Sequence, residues 1–153
     1  MGTYTVGYGK VSSGIVIGDY EYYEEMYVYS GGTANRTTVN YGGRLCVYSG
    51  GTANSTTVND WGNMLISSGG TANSTTVTNY GCLYVSSGGT ASSTTVNDWG
   101  NMLISSGGTA TNVSWTPCIG YVGWDPGAKV TFASAPTGVY LGYGGVMHPI
   151  CQG

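Results

Sequence analysis

The sequence is poor in charge. Asp, Glu, Lys and Arg make up only 7% of its 153 residues, and the four Lys and Arg leave a formal net charge of −3. A nucleic-acid-binding protein needs a basic stripe that neutralises phosphates, and four cations cannot form one. The composition therefore argues against nucleic acid as a partner.

Long apolar runs are also missing. No stretch approaches the ~20 apolar residues of a membrane helix, and no window has the apolar period of an amphipathic helix. The first residues, MGTYTVGYGKVSSG, lack the basic and apolar regions of a signal peptide. We therefore expect no membrane insertion of this segment; if the protein is exported, its signal lies outside this segment or export uses another route.

Cysteine and histidine are too sparse for a metal or disulfide framework. The four Cys residues include no C-x-x-C pair, so neither a zinc site nor a disulfide scaffold is indicated. Cys118 and Cys151 both lie in the C-terminal segment and could form a disulfide, with free thiols as the alternative. His148 has no evident orienting group for a Cys–His nucleophile pair. We expect no cofactor and no metal.

The sequence does contain a tandem repeat. The triplet SGG recurs every 19 residues, and residues 58–72 reappear letter for letter at 96–110; the triplets begin at Ser30, Ser49, Ser68, Ser87 and Ser106. A constant repeat length without insertions is typical of a stacked array in which each unit buries its apolar face against its neighbours.

Each repeat contains two alternating runs. The first places Ala53, Thr56 and Val58 inward and Thr57 outward, and the second places Met64 and Ile66 inward and Leu65 outward; Gly- and Asn-rich segments separate them. The repeat therefore predicts two strands and two turns in each coil. The fold class is all-β, a right-handed single-stranded parallel β-helix (β-solenoid) with 19-residue rungs and divergent end caps.

The array occupies residues 30–115, and the flanking segments diverge from it. We expect residues 1–29 to form a divergent N-terminal rung or cap and residues 116–153 to form C-terminal rungs and a cap, all in one solenoid domain. The acidic run DYEYYEE, Asp19 to Glu25, would discourage pairing at an exposed edge. In GAKVTFAS, Val130 and Phe132 match inward positions of the repeats.

Asparagine recurs at positions that stacking would align. One column contains Asn35, Asn54 and Asn73, and a second contains Asn40, Asn59 and Asn97. Stacked amides can hydrogen-bond to one another as ladders. Ladder packing explains the N-x-Ser/Thr sequons better than N-glycosylation does; these sequons lie at Asn35, Asn54, Asn73 and Asn112.

Outward positions form the candidate binding columns. The first column is Thr38, Thr57, Thr76 and Thr95; the second is Tyr27, Leu65, Tyr84 and Leu103, together with Cys46; and Trp61, Tyr80 and Trp99 cluster at one turn. An apolar, aromatic stripe on a rod could bind glycans by ring stacking or associate with another rod. Shielding of the turns is an equal alternative. The Thr column lacks the Thr-x-Thr pattern of ice-binding solenoids.

Two cysteines fall within the repeats. Cys46 occupies the outward column of Leu65, whereas Cys82 occupies a turn column with Arg44, Asn63 and Asn101. Residues in different columns two coils apart exceed the Cα separation that a disulfide allows, about 7 Å. We therefore expect no bridge between them.

Paired carboxylates would be the signal for a glycosidase. Asp60 and Asp98 would lie two coils, ~10 Å, apart, near the wide end of the gap in inverting enzymes. However, Asn79 occupies the column between them, and no Lys, Arg or His recurs nearby. An Asx-type turn explains both residues better, so we expect no enzyme activity.

The units SGGTANSTTVNDWGNMLISSGGTA resemble the AIDA-type repeats of bacterial autotransporter passenger domains, from about Tyr29 to Trp115. The resemblance implies a secreted β-helix on the bacterial cell surface, a passenger fragment that mediates adhesion, autoaggregation or biofilm formation. Its partners would be surface glycans, surface proteins or further copies. The resemblance also implies O-glycosylation of repeat serines by a heptosyltransferase; the candidates are Ser49, Ser68, Ser87 and Ser106.

Three other functions remain open at this point. The first is a self-assembling solenoid fibre subunit that stacks end to end through its edges. A carbohydrate-active β-helix enzyme and an ice-binding solenoid are less favoured.

Overall fold

The computed structural model describes residues 2–116, 119–134, 139–141 and 147–149, the last two segments by their backbone alone. Its regular structure is entirely β-strand, and the described part of the chain holds no helix of the length and apolarity needed to cross a membrane. The strands are β1 (Gly2–Val6), β2 (Val11–Ser13), β3 (Val16–Ile17), β4 (Glu24–Val28), β5 (Thr33–Asn35), β6 (Thr38–Val39), β7 (Gly43–Val47), β8 (Thr52–Asn54), β9 (Thr57–Val58), β10 (Asn63–Ile66), β11 (Thr71–Asn73), β12 (Thr76–Val77), β13 (Cys82–Val85), β14 (Thr90–Ser92), β15 (Thr95–Val96), β16 (Gly100–Ile104), β17 (Thr109–Trp115), β18 (Gly120–Trp124), β19 (Lys129–Phe132), β20 (Val139–Leu141) and β21 (Met147–Pro149).

Strands from successive coils pair in parallel and form three faces. The first face has the order β1-β4-β7-β10-β13-β16-β18, the second runs from β2 through β5, β8, β11 and β14 to β17 and β19, and the third runs from β3 through β6, β9, β12 and β15 to β17. Only β20 and β21 pair antiparallel among the described strands. The predicted right-handed β-solenoid with 19-residue rungs is confirmed, over about seven turns.

Each repeat has three strands, so the prediction of two strands and two turns is wrong. Ser55, with φ of 54°, separates Thr52–Asn54 from Thr57–Val58. Ala53 and Thr56 are both buried although they lie three residues apart. Three residues break the two-residue period of a strand, and the left-handed backbone at Ser55 turns both side chains inward.

The other two corners are hydrogen-bonded turns. At the SGG corner, Gly50 has φ of 75° and the Gly51 N–H donates to the Tyr48 carbonyl oxygen at 2.8 Å. At the third corner, Asp60 and Trp61 have φ of 44° and 64°, with positive φ at both central residues as in a type I′ turn. This last corner contains Trp61, Tyr80 and Trp99.

The core is a set of inward columns that run along the solenoid. Leu45, Met64, Leu83 and Met102 form one such column, and all four are fully buried. The predicted inward residues Ala53, Val58 and Ile66 are likewise at 0% exposure. Identical or similar side chains therefore stack in register from coil to coil.

A buried polar column runs beside this core. Thr37, Thr56, Thr75 and Thr94 are each 1% exposed, and the side-chain oxygen of each lacks a hydrogen-bond partner. A buried hydroxyl without a partner opposes folding by an amount of order 1–3 kcal/mol. The predicted inward position of Thr56 is confirmed, but the alternation of the sequence does not reveal that the hydroxyl is unpaired.

Replacing Thr75 with valine is expected to raise the free energy of unfolding by about 1 kcal/mol, because a methyl group replaces the unpaired hydroxyl in nearly the same volume. Urea denaturation followed by circular dichroism measures the change. Thr76→Val is the matched control, since Thr76 is half-buried on the outer side of the same segment. A lower stability for Thr75→Val than for the wild type would contradict the assignment of an unpaired hydroxyl.

One of the two predicted asparagine ladders forms. The Asn54 amide donates to Asn35 Oδ1, and the Asn73 amide donates to Asn54 Oδ1, both at 3.0 Å. The second ladder is wrong, because the Oδ1 atoms of Asn59 and Asn97 are buried without partners. Thr78 occupies the coil between these two residues, which places their amides too far apart to bond.

The coils at the two ends differ in length from the repeats. The register joins Gly2 to Glu24, a step of 22 residues, and Gly100 to Gly120, a step of 20. The acidic run does not lie at an edge as expected, because Glu24 and Glu25 begin β4, which pairs with both β1 and β7. The extra residues of the first coil lie in the loop that precedes β4.

The predicted C-terminal rung is present as β19. Val130 pairs with Ala110 and Phe132 pairs with Val113, and both side chains are half-buried against the core. Their inward orientation is therefore confirmed. They continue the columns of Ala53 and Thr56 rather than that of the Met and Leu residues.

Candidate binding surface

The outward column of the first face follows the predicted register. Tyr27 aligns with Cys46, and the column continues through Leu65, Tyr84 and Leu103. Tyr84 and Leu103 are each 39% exposed, but Cys46 is only 1% exposed. Cys46 is short and is flanked in its column by the larger Tyr27 and Leu65, so an outward position does not expose it. Burial raises the pKa of the Cys46 thiol.

Polar residues surround the start of this column. The Tyr27 hydroxyl donates to Glu25 Oε2 at 2.5 Å, and Arg44 Nη1 lies 3.9 Å from Glu25 Oε1. The hydrogen bond to Glu25 raises the pKa of Tyr27 to about 12. Tyr27 therefore keeps its proton, and Glu25 is held between a hydroxyl and a guanidinium group.

The three aromatic residues predicted to cluster at one turn form a stack. The Trp61 and Tyr80 rings are 4.7 Å apart at 6°, and the Tyr80 and Trp99 rings are 6.5 Å apart at 9°. We call these three residues the corner stack. Their exposures are 60%, 43% and 57% in chain order, so the repeat presents a continuous aromatic ridge to solvent.

A second aromatic group was not predicted from the sequence. Tyr29 and Tyr48 stack at 5.2 Å and 7°, and Tyr27 lies 6.2 Å from Tyr48. Tyr20 and Tyr41 form a further pair at 5.2 Å. The 19-residue separation of Tyr29 and Tyr48 was the available signal. The tyrosines of the first coils therefore stack as the corner residues do.

The threonine column is continuous but not fully exposed. Thr38, Thr57, Thr76 and Thr95 pair in register on the third face, with Val16 and Ser114 at the two ends. All four threonines are half-buried. The column therefore presents a narrow polar strip.

The predicted glycosylation serines lie on one exposed edge. Ser49, Ser68, Ser87 and Ser106 each occupy an SGG corner and are solvent-exposed. Each hydroxyl packs over the middle glycine of the next coil; a Cβ added to Gly69 would lie 2.5 Å from Ser49 Oγ. A further exposed column, Ser55, Ser74 and Ser93, lies at the middle corner and was not singled out from the sequence.

The other candidates for chemistry do not converge. Asp60, Asn79 and Asp98 occupy equivalent corner positions with positive φ, which agrees with a turn role. Cys46 and Cys82 are free, as predicted. Residues 2–116 and 119–134 contain no group of three His, Cys, Asp or Glu that could hold a metal. Cys118 and Cys151 lie outside the described residues, and so does the side chain of His148.

A groove opens between the corner stack and the first face. Its volume is about 540 Å³, and its lining includes the aromatic residues Tyr23, Tyr41 and Trp61 and the polar residues Glu25, Arg44 and Asn63. The Asn63 amide donates to the Trp61 carbonyl oxygen at 3.2 Å. The groove therefore joins an aromatic wall to hydrogen-bonding groups.

Comparison with known proteins identifies the repeats. Residues 26–81 match the family model for the adhesin of the bacterial autotransporter system, probable stalk. A crystal structure of a TibC-catalysed, hyper-glycosylated TibA fragment is similar to this chain, with 38% sequence identity and a TM-score of 0.71 over 84% of this chain. Residues 26–81 are therefore AIDA-type repeats of this stalk family, and the solenoid that contains them is similar to the TibA fragment. A search of curated proteins found no match.

The match to the family model places several candidate residues inside the AIDA-type region. Trp61, Tyr80, Ser49 and Ser68 all lie within residues 26–81. Trp99 and Ser106 lie in the stretch that repeats 58–72 letter for letter at 96–110. The AIDA-type chain spans 42% of the length of the TibA fragment.

Proposed function

We propose that this AIDA-type domain is a non-enzymatic adhesive passenger module on the outer surface of a bacterial cell. The observation that carries the proposal is the likeness to the TibA fragment, 38% identical over the same solenoid, together with the adhesin-stalk family match. The chain offers a rigid rod with repeated outward columns. Such a module acts through contact, without turnover of a substrate.

The repeat determines how such a module would adhere. Successive coils are about 4.8 Å apart, so each outward column presents side chains at a fixed interval, and the threonine column repeats the same one. Single contacts made by an exposed ring or hydroxyl are weak. Several contacts made together on one rigid rod give much higher avidity than any one of them. The partners would be surface glycans, surface proteins or another copy of the rod.

Serine glycosylation belongs to the same proposal. The TibA fragment was hyper-glycosylated by TibC, and the serine column at Ser49, Ser68, Ser87 and Ser106 is exposed. We propose that a heptosyltransferase modifies these hydroxyls. Coexpression with TibC followed by intact-mass and peptide mass spectrometry tests this, with Ser→Ala replacement of the column as the control. Unmodified serines after coexpression would contradict it.

Display on cells tests the adhesive role. A non-adherent bacterium that carries this chain on a heterologous outer-membrane anchor should aggregate and sediment faster, or retain more cells on a surface, than cells with the anchor alone. Added purified chain should compete with this effect. Cells that behave like the anchor-only strain in both assays would overturn the proposal.

A self-assembling fibre subunit is the second candidate. The observation that favours it is the outer edge of β1, β2 and β3, which is unpaired within the described chain; Val11 and Val16 beside it are 69% and 56% exposed. Unpaired strand edges template further pairing. Electron microscopy of purified protein decides: long filaments support assembly, and persistent monomers contradict it.

A further inference from the structure

The corner stack ends at Trp61, because the next position in its column is a glycine, Gly42. Its column includes Trp61, Tyr80 and Trp99, and continues in the opposite direction to Gly42 and then Tyr23, which directly precede the paired residues Gly43 and Glu24. Gly42 has no side chain to stack on Trp61. Among the described residues, Tyr80 is the only aromatic ring that stacks on Trp61. The other ring face of Trp61 is therefore without an aromatic partner.

The position next to Trp61 in this column lies in the groove. Tyr23, Gly42 and Trp61 all line it. Tyr23 and Trp61 lie two coils apart, so the strand spacing puts about 9.6 Å between their positions. A saturated six-membered ring placed midway would lie about 4.8 Å from each, within the usual range of centroid distances for stacked rings. The groove that these residues line has a volume of about 540 Å³, which is room for one ring of a ligand.

Hydrogen-bonding groups line the same groove. Glu25 and Arg44 form an ion pair at 3.9 Å, and the Asn63 amide uses one donor on Trp61, which leaves its Oδ1 and second N–H available. The paired charges cancel, so the groove has no net charge to attract an ionic ligand. A neutral ligand with an apolar ring face and hydroxyl groups fits both features.

We propose that this groove binds a neutral hexopyranose unit of a saccharide, stacked on the free face of Trp61 and hydrogen-bonded by Arg44, Glu25 and Asn63. The inference deepens the proposed adhesive function, on which it rests, by giving the rod one specific ligand class. The aromatic column is interrupted at Gly42, where φ is 75° and an added Cβ would lie 3.2 Å from the carbonyl oxygens of Asp19 and Tyr22.

The test uses the purified full chain and a panel of neutral methyl hexopyranosides, with binding followed by saturation-transfer NMR and calorimetry. At least one glycoside should bind, and Trp61→Ala should weaken its binding about tenfold, which corresponds to the loss of one stacking contact. Trp99→Ala is the matched control, because it removes the opposite end of the corner stack. It should change the affinity by less than about twofold, a small effect on this scale.

The outcomes separate the possible occupants and the two proposals. Tyr23→Ala should also weaken binding, and circular dichroism confirms that each variant is folded. The inference is overturned if no glycoside binds, if Trp61→Ala and Trp99→Ala behave alike, or if a proline-rich peptide binds where glycosides do not. Because cell display reports adhesion separately, adherent cells with a groove that binds no glycoside would leave the proposed function standing and remove only this inference.

Discussion

Replacement of Gly81 with alanine is expected to destabilise the solenoid by more than about 4 kcal/mol, the range reserved for severe backbone or core conflicts. Gly81 closes the aromatic corner, where its N–H donates to the Thr78 carbonyl oxygen at 2.8 Å. An added Cβ would overlap the carbonyl oxygen of Val58 and would lie 2.7 Å from its carbonyl carbon. That carbonyl belongs to the preceding coil and accepts a hydrogen bond from the Thr78 N–H, so it cannot move away without breaking the stacking.

Urea denaturation followed by circular dichroism measures this loss. Gly7→Ala is the matched control, because an added Cβ at Gly7 has no neighbouring atom within 4 Å. Gly7→Ala should remain within about 1 kcal/mol of the wild type and could be slightly more stable, since alanine restricts the unfolded chain. Equal midpoints for the two variants would show that the close approach at Gly81 is not a structural requirement.

The sequence could predict the repeat and its register but not the number of faces. A 19-residue period aligns identical residues whatever the shape of the coil, so the inward columns of Met64, Ile66 and Val58 followed from alternation. The corner that was not predicted, between Thr52–Asn54 and Thr57–Val58, depends on one left-handed residue, Ser55. The sequence signal for this corner was that the inward residues Ala53 and Thr56 are three residues apart, whereas inward residues of one continuous strand are separated by two.

Side-chain environment was harder to predict than position. Cys46 has the outward register that was expected, yet it is buried because its column neighbours are larger. The hydroxyl of Thr75 faces inward as expected, but whether it finds a partner depends on atomic positions that periodicity does not contain. The acidic loop before β4 falls in a 22-residue coil. Because this coil does not follow the 19-residue repeat, its strand register could not be predicted from the sequence.

The candidate surface shows the same division. The sequence placed Trp61, Tyr80 and Trp99 at one turn, and the structure stacks them. The groove was not predicted, since it depends on the absence of a side chain at Gly42, next to the three stacked aromatic residues of the column. The outward columns could be predicted from the 19-residue period. The groove could not, because it forms where the repeat is interrupted and its lining residues come from different coils.

Replacement of Leu83 with alanine is expected to lower the free energy of unfolding by about 2–4 kcal/mol, the lower part of the range of about 2–5 kcal/mol for a leucine removed from a packed core. Leu83 is fully buried, with Met64 and Met102 paired to it in the adjacent coils. The two methionines are flexible enough to fill part of the cavity, which keeps the expected loss below the upper end of the range for leucine. Because each repeat contacts only the coils beside it, poorer packing in this central coil also weakens its interfaces with both neighbouring coils.

The neighbouring residue supplies the control for this change. Tyr84→Ala removes a larger side chain from the same strand, but Tyr84 points outward and is 39% exposed, so we expect a loss of about 1 kcal/mol or less. Thermal and urea denaturation of both variants compare the inward and outward columns directly. If Tyr84→Ala proved the more destabilising of the two, the outward aromatic residues, and not the core of each coil, would be the main source of cohesion between repeats.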